Sequence, residues 1–390
     1  MKRATRVGAL VLGAAVASAL SWACASDDPS VDVPAPDPQD VDDSGAPSAA
    51  DDGAADGGDA GAVFPAVCEA GAFCPVGGLF GATIDARVWL NDITGTSASD
   101  VWAVGSRGTI LHYDGAAWRT SQLPSNETLA HVLARADGSV WATASLSRVH
   151  VRPANGGAWR AVSPVDEWDT PFVESCAVTA IWAAPDSEWV WFGVDRVFGN
   201  VPRLTRARGG VDGITVDATG AGVGEAFGQT VHALVGRGSG ELWGVGDLGA
   251  AFRITKASSE APALEAYNTQ TQGSLRGLWA AEPDDLWAVG AGGEVRRHRA
   301  TGRVWDVVPG VPVSTTLRSV WARSSTDVWA VGDGATIVHF DGASWTRVPV
   351  AALGDRRPAL FDVWGADAEH VWAVGEGVLL SLETSSGGER

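Results

Sequence analysis

The sequence predicts an all-β protein, a seven-bladed β-propeller of four-stranded antiparallel blades preceded by a disordered tether. One unit recurs at intervals of about 40 to 50 residues, which is the length of a propeller blade. The chain has 19 tryptophans and 49 glycines among 390 residues, which suits short strands, tight turns and one repeated packing position. The clearest repeat strands are apolar on both faces, so they need a neighbouring sheet on each side.

The repeat is most regular in two copies. Residues 100–105 read Asp-Val-Trp-Ala-Val-Gly and return unchanged at 327–332. Residues 110–115 read Ile-Leu-His-Tyr-Asp-Gly and return as Ile-Val-His-Phe-Asp-Gly at 337–342. Weaker copies complete a set of seven tryptophan anchors: Trp102, Trp141, Trp191, Trp243, Trp287, Trp329 and Trp372.

Each unit has room for four strands separated by Asp- and Gly-rich turns. Side chains alternate along a strand, so the second strand, Val-Trp-Ala-Val, must be covered on both sides. The interior of a blade ring supplies that cover. The repeat tryptophans are therefore predicted to be core residues between blades rather than a platform for sugars.

The N-terminus is typical of an export signal, predicted to span residues 1–23. Lys2, Arg3 and Arg6 precede an uncharged apolar run, and small residues surround Cys24. The pair Ala23–Cys24 is similar to the cleavage site of bacterial lipoproteins, which implies lipidation at Cys24. The expected location is the cell envelope, as an outer-membrane lipoprotein, with a soluble secreted protein as the alternative.

Residues 24–66 are predicted to be a lipidated cysteine followed by a disordered linker, and 67–390 the propeller with a short Cys-containing lead-in. The chain has a net charge of −19, and eleven aspartates with no basic residue lie between Asp27 and Asp59. Such a segment buries too little apolar surface to fold. An acidic chain without a basic tract also argues against a nucleic-acid partner.

The remaining cysteines are Cys68, Cys74 and Cys176. Cys68 and Cys74 flank a short loop and could form a disulfide in an oxidising compartment. No histidine lies near enough in sequence to suggest a metal site with them, so no metal and no cofactor is expected. Cys176 is predicted to be a buried free thiol.

These repeats resemble those of bacterial secreted propellers related to the Asp-box and photosystem-assembly-factor families, over about residues 80–390. The Asp-box itself reads Ser-x-Asp-x-Gly-x-x-Trp, whereas Asp114 and Gly115 are adjacent here and His112 stands in the place of the serine. The resemblance implies the fold. Because Asp-box propellers include sialidases, it also implies a glycan-active hydrolase or lyase as an alternative function.

Propellers bind ligands at one face near the central channel. The loops between second and third strands should line that face, and the long connector after the second blade adds an aromatic residue outside the repeat. Each polar residue of these loops, taken alone, could simply belong to a turn that faces water. Taken together, the loop residues predict a mostly acidic ring with two arginines. The candidate ligand-binding residues are Arg107, Trp168, Asp195, Arg196, Asp247, Asp333 and Glu376.

The sequence contains no Gly-x-Ser-x-Gly, His-Glu-x-x-His or phosphate-loop motif, and its seven histidines are scattered singly. The predicted function is therefore a non-enzymatic, envelope-anchored module that binds a protein or a glycan. Two basic stretches could form a patch for an acidic partner, or could be outer-strand charges: Arg203, Arg206 and Arg208, and Arg296, Arg297 and Arg299.

The last unit ends without a fourth strand, which would leave a sheet edge open. Residues 79–86, upstream of the first unit, contain strand-like apolar residues and no partner of their own. They are predicted to be the outer strand of the seventh blade, with a Cys68–Cys74 bridge guiding their approach.

Overall fold

The computed structural model describes residues 67–77, 79, 85, 87–166, 177–195, 203–217, 228–238, 240–282, 284–299 and 302–384. Within them, 28 strands form seven four-stranded antiparallel groups, the blades, two of which are joined by the single pair Ala177–Ser145. The sequence predictions that fall outside the described residues concern the signal, Cys24, the linker, Trp168, Cys176 and Arg196.

The first three blades follow one another along the chain. Their strands are β2 (Leu90–Ser97), β3 (Asp100–Gly105), β4 (Thr109–Tyr113) and β5 (Trp118–Gln122); β6 (His131–Ala134), β7 (Val140–Ser145), β8 (Arg148–Arg152) and β9 (Arg160–Val162); β10 (Ala177–Ala183), β11 (Trp189–Asp195), β12 (Leu204–Gly210) and β13 (Gly213–Asp217).

Blades four to six repeat the arrangement, and blade seven takes its outer strand from the beginning of the described chain. Their strands are β14 (Val231–Arg237), β15 (Glu241–Gly246), β16 (Ala250–Thr255) and β17 (Ala263–Asn268); β18 (Leu275–Glu282), β19 (Asp285–Gly290), β20 (Val295–Arg299) and β21 (Asp306–Val307); β22 (Leu317–Ser324), β23 (Asp327–Gly332), β24 (Thr336–Phe340) and β25 (Trp345–Arg347); β26 (Leu360–Gly365), β27 (Val371–Gly375), β28 (Val378–Leu382) and β1 (Phe73–Pro75).

Three short 3₁₀ turns join second to third strands in blades one, four and five: Ser106–Gly108, Asp247–Gly249 and Ala291–Gly293. In the described part of the chain, no helix is long and apolar enough to cross a membrane.

The repeat tryptophans lie in the core, as predicted. All seven anchors are buried, with exposed fractions between 0% for Trp141 and 8% for Trp329. The second strands that carry them are buried along almost their whole length, since each lies in a sheet covered by two neighbouring blades. The apolar burial of these strands is the main stabilising term of the ring.

In two blades the anchor tryptophan also has a set of polar partners. In blade one the Trp102 indole stacks on the His112 imidazole at 3.8 Å, and both rings bond to Asp100, at 2.8 and 2.9 Å. Trp329, His339 and Asp327 repeat this arrangement in blade six. The acid at the start of the second strand is therefore a structural residue that satisfies the indole N–H.

Neighbouring blades interlock through a second set of tryptophans at the ends of the first strands. A Cβ added at Gly95 would lie 2.6 Å from the Trp364 ring of the preceding blade, and one at Gly365 would lie 2.7 Å from Trp321. Only glycine leaves room for the indole at these positions. The close approach sets how tightly consecutive blades pack.

The N-terminal segment closes the ring, but with different residues from those predicted. The outer strand of blade seven is β1, in which Phe73 pairs with Leu382 and Pro75 with Leu380. Phe73 is fully buried and contacts the Trp329 ring at 5.6 Å. The prediction that residues 79–86 form the outer strand of blade seven is wrong. The shorter segment Phe73–Pro75 takes that place, because the Phe73 ring fills the space beside Trp329 of blade six.

The backbone of β1 also reaches blade six. The Phe73 amide donates to the Pro349 carbonyl and the Ala351 amide donates to the Phe73 carbonyl, both at 2.8 Å. A disulfide joins Cys68 to Cys74 with the Cα atoms 5.9 Å apart, so the lead-in folds back beside this strand. The closing strand is thus held by two blades and a covalent loop.

We predict that removing residues 1–77 lowers the melting temperature by roughly 5 to 10 °C, because loss of a buried phenylalanine alone costs about 3 to 5 kcal/mol. Removing residues 1–66 leaves β1 and the disulfide in place and should not change it. Scanning calorimetry of both truncations and of Phe73→Ala measures the effect. Equal melting temperatures for the two truncations would contradict closure by β1.

Candidate functional site

One face of the ring is the candidate binding face. We call it the entry face: the loops between second and third strands together with the segments that enter the first strands. Antiparallel pairing places these side by side, as in Gly105 opposite Leu90 and Gly332 opposite Leu317. The face opens onto a central cavity of about 520 Å³ lined by the first strands of all seven blades.

The structure places the described candidate residues on this face, but most of them are already bonded. Asp247 accepts from the His232 ring and the Ser274 hydroxyl, both at 2.7 Å. Asp333 accepts from the Arg318 guanidinium at 2.6 Å. Both carboxyl groups therefore already have side-chain partners, which come from first strands or from the segments that enter them.

The other three described candidates are paired as well. Arg107 bonds to Asp85 at 3.1 Å, and Asp195 to Arg203 at 3.1 Å. Glu376 accepts from the Ala359 amide at 3.1 Å.

A β-bulge at the start of the first strand sets which side chains reach the mouth of the cavity. In six of the seven described first strands, the pairing with the second strand shifts register around the second or third residue of the strand, as between Leu90 and Asp92 in β2. A bulge leaves one residue without a partner and redirects its side chain. The residues at that position are Asn91, Thr179, His232, Arg276, Arg318 and Phe361.

Two exposed apolar side chains on the entry face were missed by the sequence reasoning. Trp89, just before β2, is 51% exposed, and Leu248, at the tip of the blade-four turn, is 63% exposed. An alignment of the units could have found both: Trp89 is an aromatic residue outside the repeat, and Leu248 occupies a position filled by Gly292 in blade five.

The wall of the cavity contains a buried carboxyl pair where blades seven, one and two meet. Asp362 accepts from the Ile93 amide at 2.9 Å and from the Ser319 hydroxyl at 2.5 Å. Asp92 accepts from the Val132 amide at 2.8 Å. Each carboxyl group thus bonds to the backbone of the next blade, and the two lie against each other.

Burial is the largest influence on both groups. It raises the pKa of Asp362 well above its usual value, and the neighbouring charge of Asp92 raises it further. For Asp92, hydrogen bonds from His131 and the backbone outweigh burial and lower the pKa. Two carboxyl groups in contact favour a state in which the pair carries one proton between them.

This pair does not have the geometry of a glycosidase. Such enzymes hold two carboxyl groups about 5 to 10 Å apart, with space for the sugar between them. Asp92 and Asp362 bond to one another and to the blade backbones instead. Among the described residues, no group of three or more His, Cys, Asp or Glu side chains is arranged to hold a metal ion.

The basic strand residues do not form a free positive patch. Arg206 is 1% exposed, bonds to Asp217 at 3.0 Å and lies 4.0 Å from the Trp189 ring. Arg297 bonds to Asp285 at 2.6 Å and lies over Trp287, while Arg296 is buried. Arg206 and Arg297 take the place that histidine has beside the anchor tryptophans, since they pair with Trp191 and Trp287 across the strands. Arg208 and Arg299 stay exposed and lie beside Glu188 and Asp306, so the described arginines divide between core and surface.

No family model matches the chain, and no curated protein sequence matches it. Solved structures do. YCF48 from Cyanidioschyzon merolae has a TM-score of 0.56 at 18% identity, covering 80% of this chain and 98% of that one. A structure of YCF48 bound to D1 peptide has a TM-score of 0.58 at 15% identity, with 83% and 98% coverage. The WD40 β-propeller domain of Doa1 has a TM-score of 0.55 at 10% identity, with 75% and 91% coverage.

The protein is a β-propeller. The matches and the seven described blades confirm the predicted fold. The likeness to YCF48 supports the resemblance to assembly-factor-type propellers. At these identities the similarity establishes the fold alone.

We predict that the buried carboxyl pair makes stability fall as pH rises. A folded pKa raised above the unfolded value of about 3.9 gives stability that is complete below that value and is lost as pH rises toward the folded pKa. Asp362→Asn keeps an acceptor for the Ile93 amide and carries no titrating proton. Its free energy of unfolding relative to wild type should therefore increase as pH is raised above the ordinary carboxyl range.

Urea unfolding at several pH values measures this difference. Asp333→Asn, which changes a half-exposed carboxyl group on the entry face, is the control. Parallel pH curves for wild type and Asp362→Asn would show that the pair does not share a proton.

Proposed function

We propose that this protein is a non-enzymatic binding module that takes a protein partner on its entry face and is held at the cell envelope through Cys24. The observation that carries the proposal is the exposure of Trp89, beside blade one, and of Leu248, in blade four, on the entry face. Large apolar side chains at an otherwise polar face are the usual anchors of protein interfaces.

The backbone at Leu248 supports the same reading. This residue has φ 56°, in the left-handed region that glycine occupies without strain and other residues adopt at a cost of about 1 kcal/mol. The equivalent residue of blade five is Gly292. A strained and exposed leucine suits a residue kept for what it contacts rather than for stability.

The solved propellers support a protein partner over a glycan. One of them is YCF48 bound to D1 peptide. A glycan would need a flat aromatic platform, whereas the exposed ring of Trp89 is tilted by 57° against Phe361 and forms an apolar wedge. A glycan partner and a glycan-active enzyme therefore have less support, since the cavity carboxyl groups are engaged in joining blades.

The location stays a prediction from the first 66 residues. The charged start, the apolar run and the Ala23–Cys24 junction support export and lipidation. An acidic linker of about 40 residues would hold the propeller away from a membrane surface, since its like charges favour extended conformations. Outer-membrane attachment, or soluble secretion if Cys24 is not lipidated, are the two outcomes to separate.

Site-specific photo-crosslinking tests the partner proposal. A benzoylphenylalanine at Leu248 should give one discrete adduct in the cell envelope that protease digests. The same probe at Val307, which is 52% exposed on an outermost strand, is the control and should give none. Equal adducts at both positions, or an adduct resistant to protease and sensitive to glycosidase, would contradict a protein partner on the entry face.

Fractionation tests the anchor. Wild type should sediment with membranes and incorporate a labelled fatty acid, and Cys24→Ala should do neither. Cys68→Ala, which leaves Cys24 intact, serves as the control. If wild type and Cys24→Ala were equally soluble, the lipid anchor would be refuted and the protein would be a soluble secreted one.

A further inference from the structure

An exposed tryptophan stands at the junction of blades seven and one. Trp89 is the only exposed tryptophan in the described part of the chain. Its backbone is fixed by two hydrogen bonds to Ser106. The Trp89 amide donates to the Ser106 hydroxyl at 3.0 Å, and the Trp89 carbonyl accepts from the Ser106 amide at 2.8 Å. An isolated bridge to Glu376 holds its other side. The indole is therefore presented to solvent by a backbone fixed to two blades.

Two arginines lie close to Trp89 along the backbone. Arg87 precedes it by two residues, and Arg107 follows Ser106, whose hydroxyl and amide bond to the Trp89 backbone. Both bond to Asp85, and both stay more than half exposed, at 82% and 53% of their side chains. Arg356, also exposed, donates to the Glu376 carbonyl at 2.8 Å.

The carboxylates beside the indole do not use up these donors. Hydrogen bonds from Arg87 hold the pKa of Asp85 well below its usual range, so it is ionised at neutral pH. A guanidinium has five N–H donors, and Arg107 uses one of them, on Nη1, for Asp85 in the described structure. Donors that can take an anion from outside the chain therefore remain next to an apolar ring.

Arg107 is held in a strained turn. It has φ 60° at the centre of its turn, the position that Gly292 fills in blade five. Glycine there would relieve the strain, so the turn itself gives no reason for an arginine. Like Leu248, the side chain is displayed on the entry face at a cost in stability.

We propose that Trp89 with Arg87 and Arg107 recognises a peptide segment in which a carboxylate lies next to an apolar or aromatic side chain. The proposal rests on the function given above and names the chemistry of its partner. The apolar side chain packs against the surface that Trp89 and Phe361 form together, since the two ring centroids are 6.1 Å apart and the rings contact each other. The carboxylate, from an acidic residue or a chain terminus, accepts from the free Arg107 N–H groups in a geometry that guanidinium favours.

Selection from a displayed library of random dodecapeptides against the full-length protein tests this chemistry. Selected peptides should be enriched in Asp or Glu, or in a free C-terminus, next to Phe, Trp, Leu or Ile. Their affinity should fall as salt is raised, since exposed charge pairs are screened. Amide-capped and Asp→Asn versions of the selected peptides separate a terminal from a side-chain carboxylate.

Two variants locate the site. Arg107→Gly keeps the turn unstrained, so its melting temperature should be unchanged or slightly raised, while affinity falls roughly tenfold, the value of about one charge-assisted hydrogen bond. Trp89→Ala should lose at least as much. The controls are Arg299→Ala and Val307→Ala, exposed residues on the outer strands of blade five, which should bind as wild type does.

Three outcomes overturn the proposal. Selected peptides without acids would refute the chemistry. Peptide binding that is insensitive to Trp89→Ala and Arg107→Gly but lost in Leu248→Asp would move the site while leaving a protein partner in place. Selection of no peptide, with binding to an array of acidic glycans, would refute both this proposal and the proposed function.

Discussion

Every part of this structure depends on burying a strand that is apolar on both faces. Val-Trp-Ala-Val has no side to turn to water, so a single blade cannot be stable and a row of blades leaves two uncovered ends. Closing the row into a ring removes the ends. In blade one the polar atoms that this burial would leave without water are satisfied locally: Asp100 takes the hydrogen bonds of the Trp102 indole and of the His112 ring stacked on it. The repeat therefore holds an apolar core and its own polar partners in one unit.

The ring closes at its least regular point. Blade seven borrows β1 from the other end of the chain, and that strand is three residues long. It is held by a fully buried Phe73 against Trp329, by hydrogen bonds to blade six and by a disulfide. On the cavity side, the carboxyl pair of Asp92 and Asp362 joins blade seven to blade one and blade one to blade two. A closure made of few residues gains from both supports, because each bonds elements that are far apart in sequence.

The residues that pack the blades together and the residues that vary on the entry face lie in different parts of each blade. Residues that repeat from blade to blade lie between sheets, whereas residues that differ lie on the entry face and at the cavity mouth. The bulge in six of the first strands makes this separation possible, since it points one side chain of such a strand away from the ladder. Arg318 and Phe361 occupy that position, with the Arg318 guanidinium 5.4 Å from the Phe361 ring. A face assembled from such variable positions can change its ligand while the core stays the same.

The sequence by itself determined the fold class, the number of blades and the core tryptophans, because these follow from local periodicity: strand alternation and a recurring unit are visible in a single chain. It also indicated that the ends of the chain meet, from the missing strand of the last unit. Only the tertiary structure decided that Phe73 rather than residues 79–86 closes the ring, since that choice depends on which side chain fills the space beside Trp329. It alone paired Asp333 with Arg318 and Asp247 with the His232 ring. It alone placed Trp89 against Ser106 and so near Arg107, because pairing of strands within blade one joins residues that no sequence spacing connects.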